Sequence, residues 1–359
     1  MLISSSVKNI FSKARLLDSG NPSVILGESE LYSILLLTCD DLDWDIARIG
    51  LPNPSSTLLK DNYFEVPFEW FLSHISPPSV LALQQAVATG ISIEPDFGLY
   101  FLNLASLHKR RLKFQKILSY QPKPTMDQIG PRGLLEYGLC AQGLLFNWLI
   151  WRKWIFDIDN RSGQETGYLF EPILASCLGG ESVSSSNSPV KRLDDSGLPK
   201  STGRQIDCYI GSENVAYEFK LRVTIAASGQ GRFSEELSFP IECQAAGITP
   251  VLFVLDPTAS NRLSELSAAF TASGGAVYLG EAAWAHLEEK SGETMARFIE
   301  KYIKPPLKAM NDFDTSSISS VRISWENNRI VIASDTEEYI IDRYAESQPL
   351  QVERVSLEH

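Results

Sequence analysis

The sequence predicts an α/β protein, with a central mixed β-sheet flanked by helices and a mostly helical N-terminal region. Two observations indicate the sheet. Apolar and polar residues alternate between about residues 204 and 223, and residues 248–256 form an unbroken β-branched run typical of a strand buried on both faces. Stretches with helical spacing of apolar residues surround both patterns, which indicates packed layers of helix and sheet.

Composition limits the class of protein. The chain has 359 residues, 44% of them hydrophobic, which is enough for one large domain or two ordinary ones and excludes a largely disordered chain. The formal charge of −12 means that any contact with nucleic acid must come from local basic patches. The five cysteines are widely spaced and form no CxxC pair, which argues against a disulfide framework or zinc site and favours a reducing cytoplasm.

Domain boundaries are predicted from shifts in composition. We expect a mostly helical region over 1–132, a core over 133–310, a C-terminal β-hairpin extension over 311–356, and a remnant resembling an expression tag at 357–359. No secretory signal is evident at the N-terminus. The most apolar stretch, 139–151, is too short to cross a bilayer, so no membrane association is expected.

The N-terminal region changes from acidic to basic along the chain. Residues 1–100 carry a net negative charge, and prolines and serines divide them into short elements. Residues 101–132 carry a net charge of +6, and the 105–120 segment reads as an amphipathic helix with a cationic face. That face is either solvated, as most charge runs are, or meets phosphates.

Two helices are predicted before the strands. The first covers 133–156 and ends in a turn at 157–160; the second opens with the S-x-x-E pair Ser162 and Glu165 and ends near residue 179, with a bend at Pro172. Three tryptophans lie three residues apart on the first helix, where core or dimer packing is favoured over a base-stacking platform: Trp148, Trp151 and Trp154.

The period-two region predicts a β-hairpin. Its strands are joined by the turn residues 211–214, and that loop length pairs Ile210 with Val215 and sets Asp207 opposite Glu218. The two carboxylates would then face each other with Cβ atoms about 4.5–5.5 Å apart. Lys220 follows Glu218 by two residues and projects from the same face.

Two carboxylates held face to face need a positive partner. A divalent cation supplies it, and hard oxygen ligands at this spacing suit Mg²⁺, which keeps waters and accepts phosphate oxygens. The alternative is a surface hairpin whose carboxylates are compensated by Lys220 and Arg222.

The order of elements around the hairpin supports the metal-binding interpretation. A helix bearing Glu171 precedes the Asp207 strand, the Glu218-Phe219-Lys220 strand follows, and then come a helix near 235–247 and the apolar strand at 248–256. Over about residues 160–285 the sequence resembles the PD-(D/E)xK nuclease superfamily, and within it the type II restriction endonucleases. It departs from the motif at the proline position, where Ile206 precedes Asp207.

The resemblance implies a site and a cofactor. Asp207, Glu218 and the backbone carbonyl of Phe219 would hold Mg²⁺, which would polarise the scissile phosphate and activate a water. Lys220 would hold or help to deprotonate that water. Glu171 would hold a second metal ion or its waters, or would be an ordinary carboxylate on the surface of a helix. Products would carry 5′-phosphate and 3′-hydroxyl ends.

Basic and amide side chains near the hairpin are candidates for DNA contacts. Arg222, Gln230 and Arg232 flank or lie in a glycine-containing segment after the catalytic strand and could read base edges, or could be ordinary surface residues. Contacts to phosphate, which position DNA without reading its sequence, are expected from Lys191, Arg192, Lys200 and Arg204.

The resemblance implies sequence-specific cleavage of double-stranded DNA by a homodimer, beside a partner DNA methyltransferase. No G-x-x-x-x-G-K-[ST] motif is present, so no use of ATP is expected. Three alternatives stay open. They are a PD-(D/E)xK nuclease with another role (modification-dependent restriction, repair or transposon-end cleavage), a DNA-binding protein that does not cleave, and a structural protein with no nucleic-acid role.

Overall fold

The structure is a computed structural model, and it describes the chain in segments. The described residues are 3–17, 22–54, 63–74, 76–194, 196–222, 230–256, 260–314, 316 and 320–344. The tag-like residues 357–359 lie outside them. Within the described residues no helix is long and apolar enough to cross a membrane.

The described elements between residues 28 and 177 are helices, and most of the strands follow them. The α-helices are α1 (Ser5–Arg15), α2 (Glu28–Asp41), α3 (Phe68–Leu72), α4 (Val80–Ile93), α5 (Phe97–Tyr120), α6 (Met126–Ile129), α7 (Gln142–Cys177), α8 (Gln230–Ala245), α9 (Asn261–Ala272), α10 (Glu281–Phe298) and α11 (Lys304–Asn311). The strands are β1 (Leu16–Leu17), β2 (Val24–Ile25), β3 (Glu181–Val183), β4 (Lys191–Leu193), β5 (Pro199–Gly203), β6 (Ile206–Ile210), β7 (Val215–Arg222), β8 (Thr249–Asp256), β9 (Ala276–Leu279), β10 (Arg322–Glu326), β11 (Arg329–Ala333) and β12 (Glu338–Asp342).

The chain divides into two compact units. One comprises residues 1–14, 27–105 and 167–306, and the other comprises 15–26, 106–166 and 307–359. The first unit contains the central sheet. The sequence boundaries proposed at residues 132 and 310 stay a prediction.

The central sheet is mixed, as predicted, and confirms the fold class. Its strand order is β3-β6-β7-β8-β9; β6 is antiparallel to β3 and β7, whereas β7, β8 and β9 run parallel. Helices α8 and α9 connect the parallel strands, as parallel pairing requires. The predicted strand at 248–256 is β8, and Val251 to Leu255 are all buried because helices cover both of its faces.

The sheet separates two layers of apolar side chains. On one face, Ala216 and Leu252 pack with Phe239 and Cys243 of α8 and with Phe270 of α9. On the opposite face, the rings of β7 and β8 meet the imidazole of α10: Tyr217, Phe219, Phe253 and His286. Both faces of β7 are therefore covered along most of its length.

One long helix replaces the two helices predicted before the strands. The predicted turn at 157–160 was wrong, because α7 runs unbroken through it, and Asp157 pairs with Lys153 one turn earlier at 2.5 Å. Glu165 does not cap a helix start: it binds Arg110 and Lys113 of α5. A local ion pair at Asp157 and long-range ion pairs at Glu165 thus hold the polar residues that the sequence pattern assigns to a helix boundary.

The basic helix at 105–120 is the C-terminal part of α5, and much of its charge is internal. Lys109 and Lys113 are buried. Lys113 lies 2.8 Å from Glu165, and the ammonium of Lys109 donates to the carbonyl of Leu16 at 3.0 Å. Burial, helped by the charge of Arg110, lowers the pKa of Lys109 to about 8. These two lysines therefore form neither a solvated face nor a surface for phosphates.

The C-terminal strands form a small sheet of their own. Within the described residues, β10, β11 and β12 pair in order as a three-stranded antiparallel sheet where a hairpin was expected. Trp325 of this sheet packs against Trp151 and Trp154 of α7, with ring centroids 4.7 and 5.4 Å apart. Packing is therefore the role of these two tryptophans, as the sequence favoured.

Candidate active site

The hairpin forms with the predicted register. Ile210 pairs with Val215, and the ladder continues through Tyr209 with Ala216 and Cys208 with Tyr217. This alternation sends Tyr217 and Phe219 to one side of the sheet and Ala216 and Glu218 to the other. The acidic and basic positions of β7 thereby share the side on which α8 lies.

Asp207 lies where the regular ladder of the hairpin ends. Its carboxylate Oδ2 accepts a hydrogen bond from the backbone N–H of Phe219 at 2.9 Å. Its own carbonyl accepts from the hydroxyl of Ser182 on β3 at 2.8 Å. The side chain of Asp207 is thus fixed against the very strand that carries Glu218 and Lys220.

Lys220 is held between two carboxylates. Its ammonium lies 2.9 Å from Oε1 of Glu218 and 3.1 Å from Oε1 of Glu236 on α8. Burial alone would lower the pKa of Lys220, but the charges of Glu218 and Glu236 outweigh it, and the pKa is raised above its ordinary value. The side chain therefore stays a cation at neutral pH.

Glu171 completes an acidic cluster. It lies near the C-terminal end of α7, close enough for the charge of Glu218 to act on it; burial, then Glu218, raises its pKa, and Lys220 partly offsets this. Burial, Glu218 and Glu171 likewise raise the pKa of Asp207 well above its ordinary value. The structure thus brings together all four residues predicted to be catalytic.

Glu236 is a site residue that the sequence reasoning missed. Besides its contact with Lys220, its second carboxylate oxygen is buried and has no hydrogen-bond partner among the described residues. Its spacing carried a signal, because Glu236 lies three and seven residues before Phe239 and Cys243, which α8 buries against the sheet. A carboxylate on the buried stripe of a helix requires a cation or a hydrogen-bond donor nearby.

The residues predicted to contact phosphate differ in exposure: three are at least partly exposed, whereas Arg204 is buried. Lys191 and Arg192 lie on β4 and Lys200 lies on β5, all at least partly exposed, and Arg192 makes a 3.3 Å ion pair with Glu235. These positions are open to a phosphate. The side chains of the predicted base-reading residues Arg222, Gln230 and Arg232 lie outside the described part of the chain, so their role stays a prediction.

Arg204 is buried, and its contacts within the protein give it a structural role, while its predicted contact with phosphate stays a prediction. Its guanidinium donates to the backbone carbonyl of Glu235 and lies 3.5 Å from the carboxylate of Glu242. It also stacks over the ring of Phe239, 5.7 Å from the centroid. These groups surround the guanidinium from the α8 side.

We therefore expect Arg204→Ala to destabilise the fold by about 3 kcal/mol, because it leaves the buried carboxylate of Glu242 without its cation. Urea unfolding followed by circular dichroism measures this. Lys200→Ala, at an exposed position, is the control and should change the free energy of unfolding by less than about 0.5 kcal/mol. Equal stability of the two variants would contradict the structural role.

The donor set of the acidic cluster fits a hard divalent cation. Three carboxylates around Lys220, those of Glu171, Asp207 and Glu218, supply only oxygen donors. Burial, followed by the neighbouring negative charges, raises the pKa values of Glu171 and Asp207. Within the described residues no three His, Cys, Asp or Glu side chains already form a metal-binding group. A metal ion here would therefore also need oxygens of the backbone, water or substrate phosphate.

Comparison with known proteins assigns a family to this fold and site. The sequence profile of a family described as ApaLI-like restriction endonuclease matches residues 60–304, a range that includes every residue of the acidic cluster. The chain is also 43% identical over 302 residues to the "Type II restriction enzyme ApaLI" of Acetobacter pasteurianus, which covers 82% of this chain and 80% of that protein. No solved structure matches the chain significantly. The chain therefore belongs to the ApaLI-like restriction endonucleases, which confirms the expectation of a type II restriction endonuclease.

Proposed function

We propose that this chain hydrolyses phosphodiester bonds of double-stranded DNA at a specific sequence with Mg²⁺ as cofactor, leaving 5′-phosphate and 3′-hydroxyl ends. One observation carries the proposal. Asp207 and Glu218 come together with Lys220 on one side of a hairpin, beside Glu171 from a separate helix, as in a PD-(D/E)xK site. Family membership supports the substrate class.

Asp207, Glu218 and the carbonyl of Phe219 would hold the first ion, and Glu171 a second ion or its waters. A bound Mg²⁺ would offset the charge of the carboxylates and of the scissile phosphate. The hydrogen bond from the N–H of Phe219 fixes the carboxylate of Asp207 before any ligand arrives. Holding the donors in place in advance lowers the reorganisation needed when DNA binds.

Lys220 is proposed to act as a fixed cation. Because its pKa is raised, it is protonated at neutral pH and is poorly suited to remove a proton from water. An ammonium held in this place can donate to a phosphate oxygen and stabilise the charge that develops there. This refines the sequence-based expectation, which also allowed a role in deprotonating the water.

Glu236 is proposed to keep Lys220 in position when the carboxylate of Glu218 binds a metal ion. Glu236→Gln should lower kcat by about tenfold, with DNA affinity unchanged, because one of the two anions that hold the ammonium is lost. The measurement is single-turnover cleavage together with DNA binding in Ca²⁺. Glu265→Gln, at an exposed position of α9, is the control. A loss of DNA affinity that accounts for the whole effect would contradict a positioning role.

Digestion of a plasmid of known sequence tests the proposed function. The protein with MgCl₂ should give discrete fragments whose mapped ends share one sequence, and EDTA should abolish cutting. An intact plasmid at several salt concentrations, with salt-dependent DNA binding, would instead favour a DNA-binding protein that does not cleave. Loss of both would favour a structural protein. Fragments that appear only with methylated plasmid would favour modification-dependent restriction.

We further propose that the enzyme is a cytoplasmic homodimer that acts beside a DNA methyltransferase protecting the same sequence. A two-fold axis in the protein would match a palindromic site. All five cysteines are unpaired, which suits a reducing compartment.

A further inference from the structure

The strongest unexplained feature of the molecule is an apolar surface beside α7. Six large side chains between residues 134 and 148 are each at least 48% exposed, and together they are called the 134–148 face: Leu134, Leu135, Tyr137, Leu139, Leu144 and Trp148. The exposed fraction of Leu135 is 90% and that of Leu139 is 84%. The site described above uses none of these residues.

The 134–148 face combines side chains from two neighbouring stretches, the segment before α7 and the first turns of α7. The carboxylate of Glu136 accepts a hydrogen bond from the indole of Trp148 at 3.1 Å and from Arg152 at 2.6 Å, so the segment before α7 lies along the helix. Leu144 and Trp148 are one helical turn apart on the outer side of α7. Their neighbours Leu145 and Leu149 point inward and form a small buried core with Ile129.

The size of the face is that of a protein interface. Side chains of this kind expose on the order of 100 Å² each, so six of them present roughly 600 Å². The largest apolar patch of an ordinary monomer is about 300–600 Å², and a standard interface buries about 800 Å² on each partner. The area therefore suffices for most of one side of a stable interface.

The charge of the face identifies the kind of partner. Glu136 and Arg152 pair with each other, so the centre of the face has no unbalanced charge. DNA needs a basic surface, which this is not. The chain carries a net charge of −12, so the approach of two copies is least opposed where the surface is apolar and neutral.

We propose that the 134–148 face is the surface through which two copies of this chain associate about a two-fold axis. In such an interface the same patch meets itself, and a neutral apolar patch is complementary to itself. The proposed function includes a homodimer, and this inference adds the surface through which its two copies meet. It rests on the proposed function only for the number of copies. The start of α7 would thus have two sides. Leu145 and Leu149 pack within their own protomer, and Leu144 and Trp148 would contact the second copy.

Sedimentation equilibrium without DNA or metal tests the proposal. The unaltered protein should be a dimer at micromolar concentration. The double variant Leu135→Glu/Leu139→Glu should raise the dimer dissociation constant at least about 100-fold. Each substitution occurs in both protomers, so four carboxylates would be buried in the two-fold interface. Leu81→Glu is the control: this leucine is 58% exposed in the first turn of α4, where an acidic residue is favourable, and its dimer should be unchanged.

Hydrogen exchange gives a second readout that needs no substitution. Amide protection in residues 133–148 should rise with protein concentration if this face is covered. A protein that stays monomeric at tens of micromolar, or a double variant that dimerises as well as the control, would overturn the proposal. Plasmid cleavage is measured separately, so a dimer that does not cut DNA would contradict the proposed function and leave this surface assignment intact.

Discussion

Asp207→Asn should abolish DNA cleavage and, at the same time, stabilise the metal-free protein at neutral pH. The asparagine can still accept the hydrogen bond from the N–H of Phe219, so the hairpin keeps its geometry. The charge that would bind Mg²⁺ is lost, and we expect a fall in rate of at least about 10³-fold. The stability gain follows because burial and the charges of Glu218 and Glu171 disfavour the ionised carboxylate.

The pH dependence of this stability difference has a definite sign. The folded-state pKa of Asp207 is raised above its ordinary value of 3.8, so the stability linked to the protonated carboxyl is fully present below that pH. It is lost as the pH rises through the raised pKa. The free energy of unfolding of Asp207→Asn, minus that of the unaltered protein, should therefore grow as the pH rises from about 4.

Urea unfolding at a series of pH values without metal measures the difference, and repeating it with MgCl₂ should stabilise only the unaltered protein. Asp335→Asn, at an exposed aspartate, is the matched control. A variant less stable than the parent at neutral pH would show that Asp207 is held by a structural cation or donor and not crowded by acids.

Lys220→Met should also abolish most cleavage, but with the opposite effect on stability. Methionine keeps the apolar stem and removes the ammonium that lies 2.9 and 3.1 Å from Glu218 and Glu236. We expect kcat to fall about 10²–10³-fold, because no ammonium is left to stabilise the negative charge that develops on the phosphate. The two carboxylates would then face each other without their cation, which should cost about 2 kcal/mol of folding stability.

Single-turnover cleavage and urea unfolding measure the two effects on the same preparation. Lys308→Met, at an exposed lysine of α11, should change neither. The pair of results distinguishes the two residues: neutralising Asp207 stabilises the metal-free protein, whereas neutralising Lys220 destabilises it. Destabilisation by both substitutions would indicate loss of packing in place of electrostatics.

The features that sequence reasoning predicted correctly are local ones. The hairpin follows from the alternation in β6 and β7 and from the four residues between them, and both determine the register without any distant contact. The burial of β8 follows from its composition alone. Grouping Asp207, Glu218 and Lys220 on one side of the sheet required only the period of a strand and this register.

The features that it missed depend on distant partners. Glu165 has the spacing of a helix cap, but Arg110 and Lys113, more than 50 positions earlier, bind it instead. The residues beside Arg204, Glu242 and Phe239, come from a helix that begins more than 20 positions later, and the sequence around Arg204 does not indicate them. The sequence pattern of one segment does not show which oppositely charged residue of a distant segment will pack beside it.

The separation of the site residues along the chain has a consequence for how the protein folds. The hairpin that joins Asp207 to Glu218 closes over only residues 211–214, an event of microseconds in isolation. Glu171 and Glu236 arrive from helices, by contacts of longer range that form later. Repulsion within the cluster is therefore complete only after the rate-limiting barrier. Neutralising one of its acids should slow unfolding and leave the refolding rate almost unchanged.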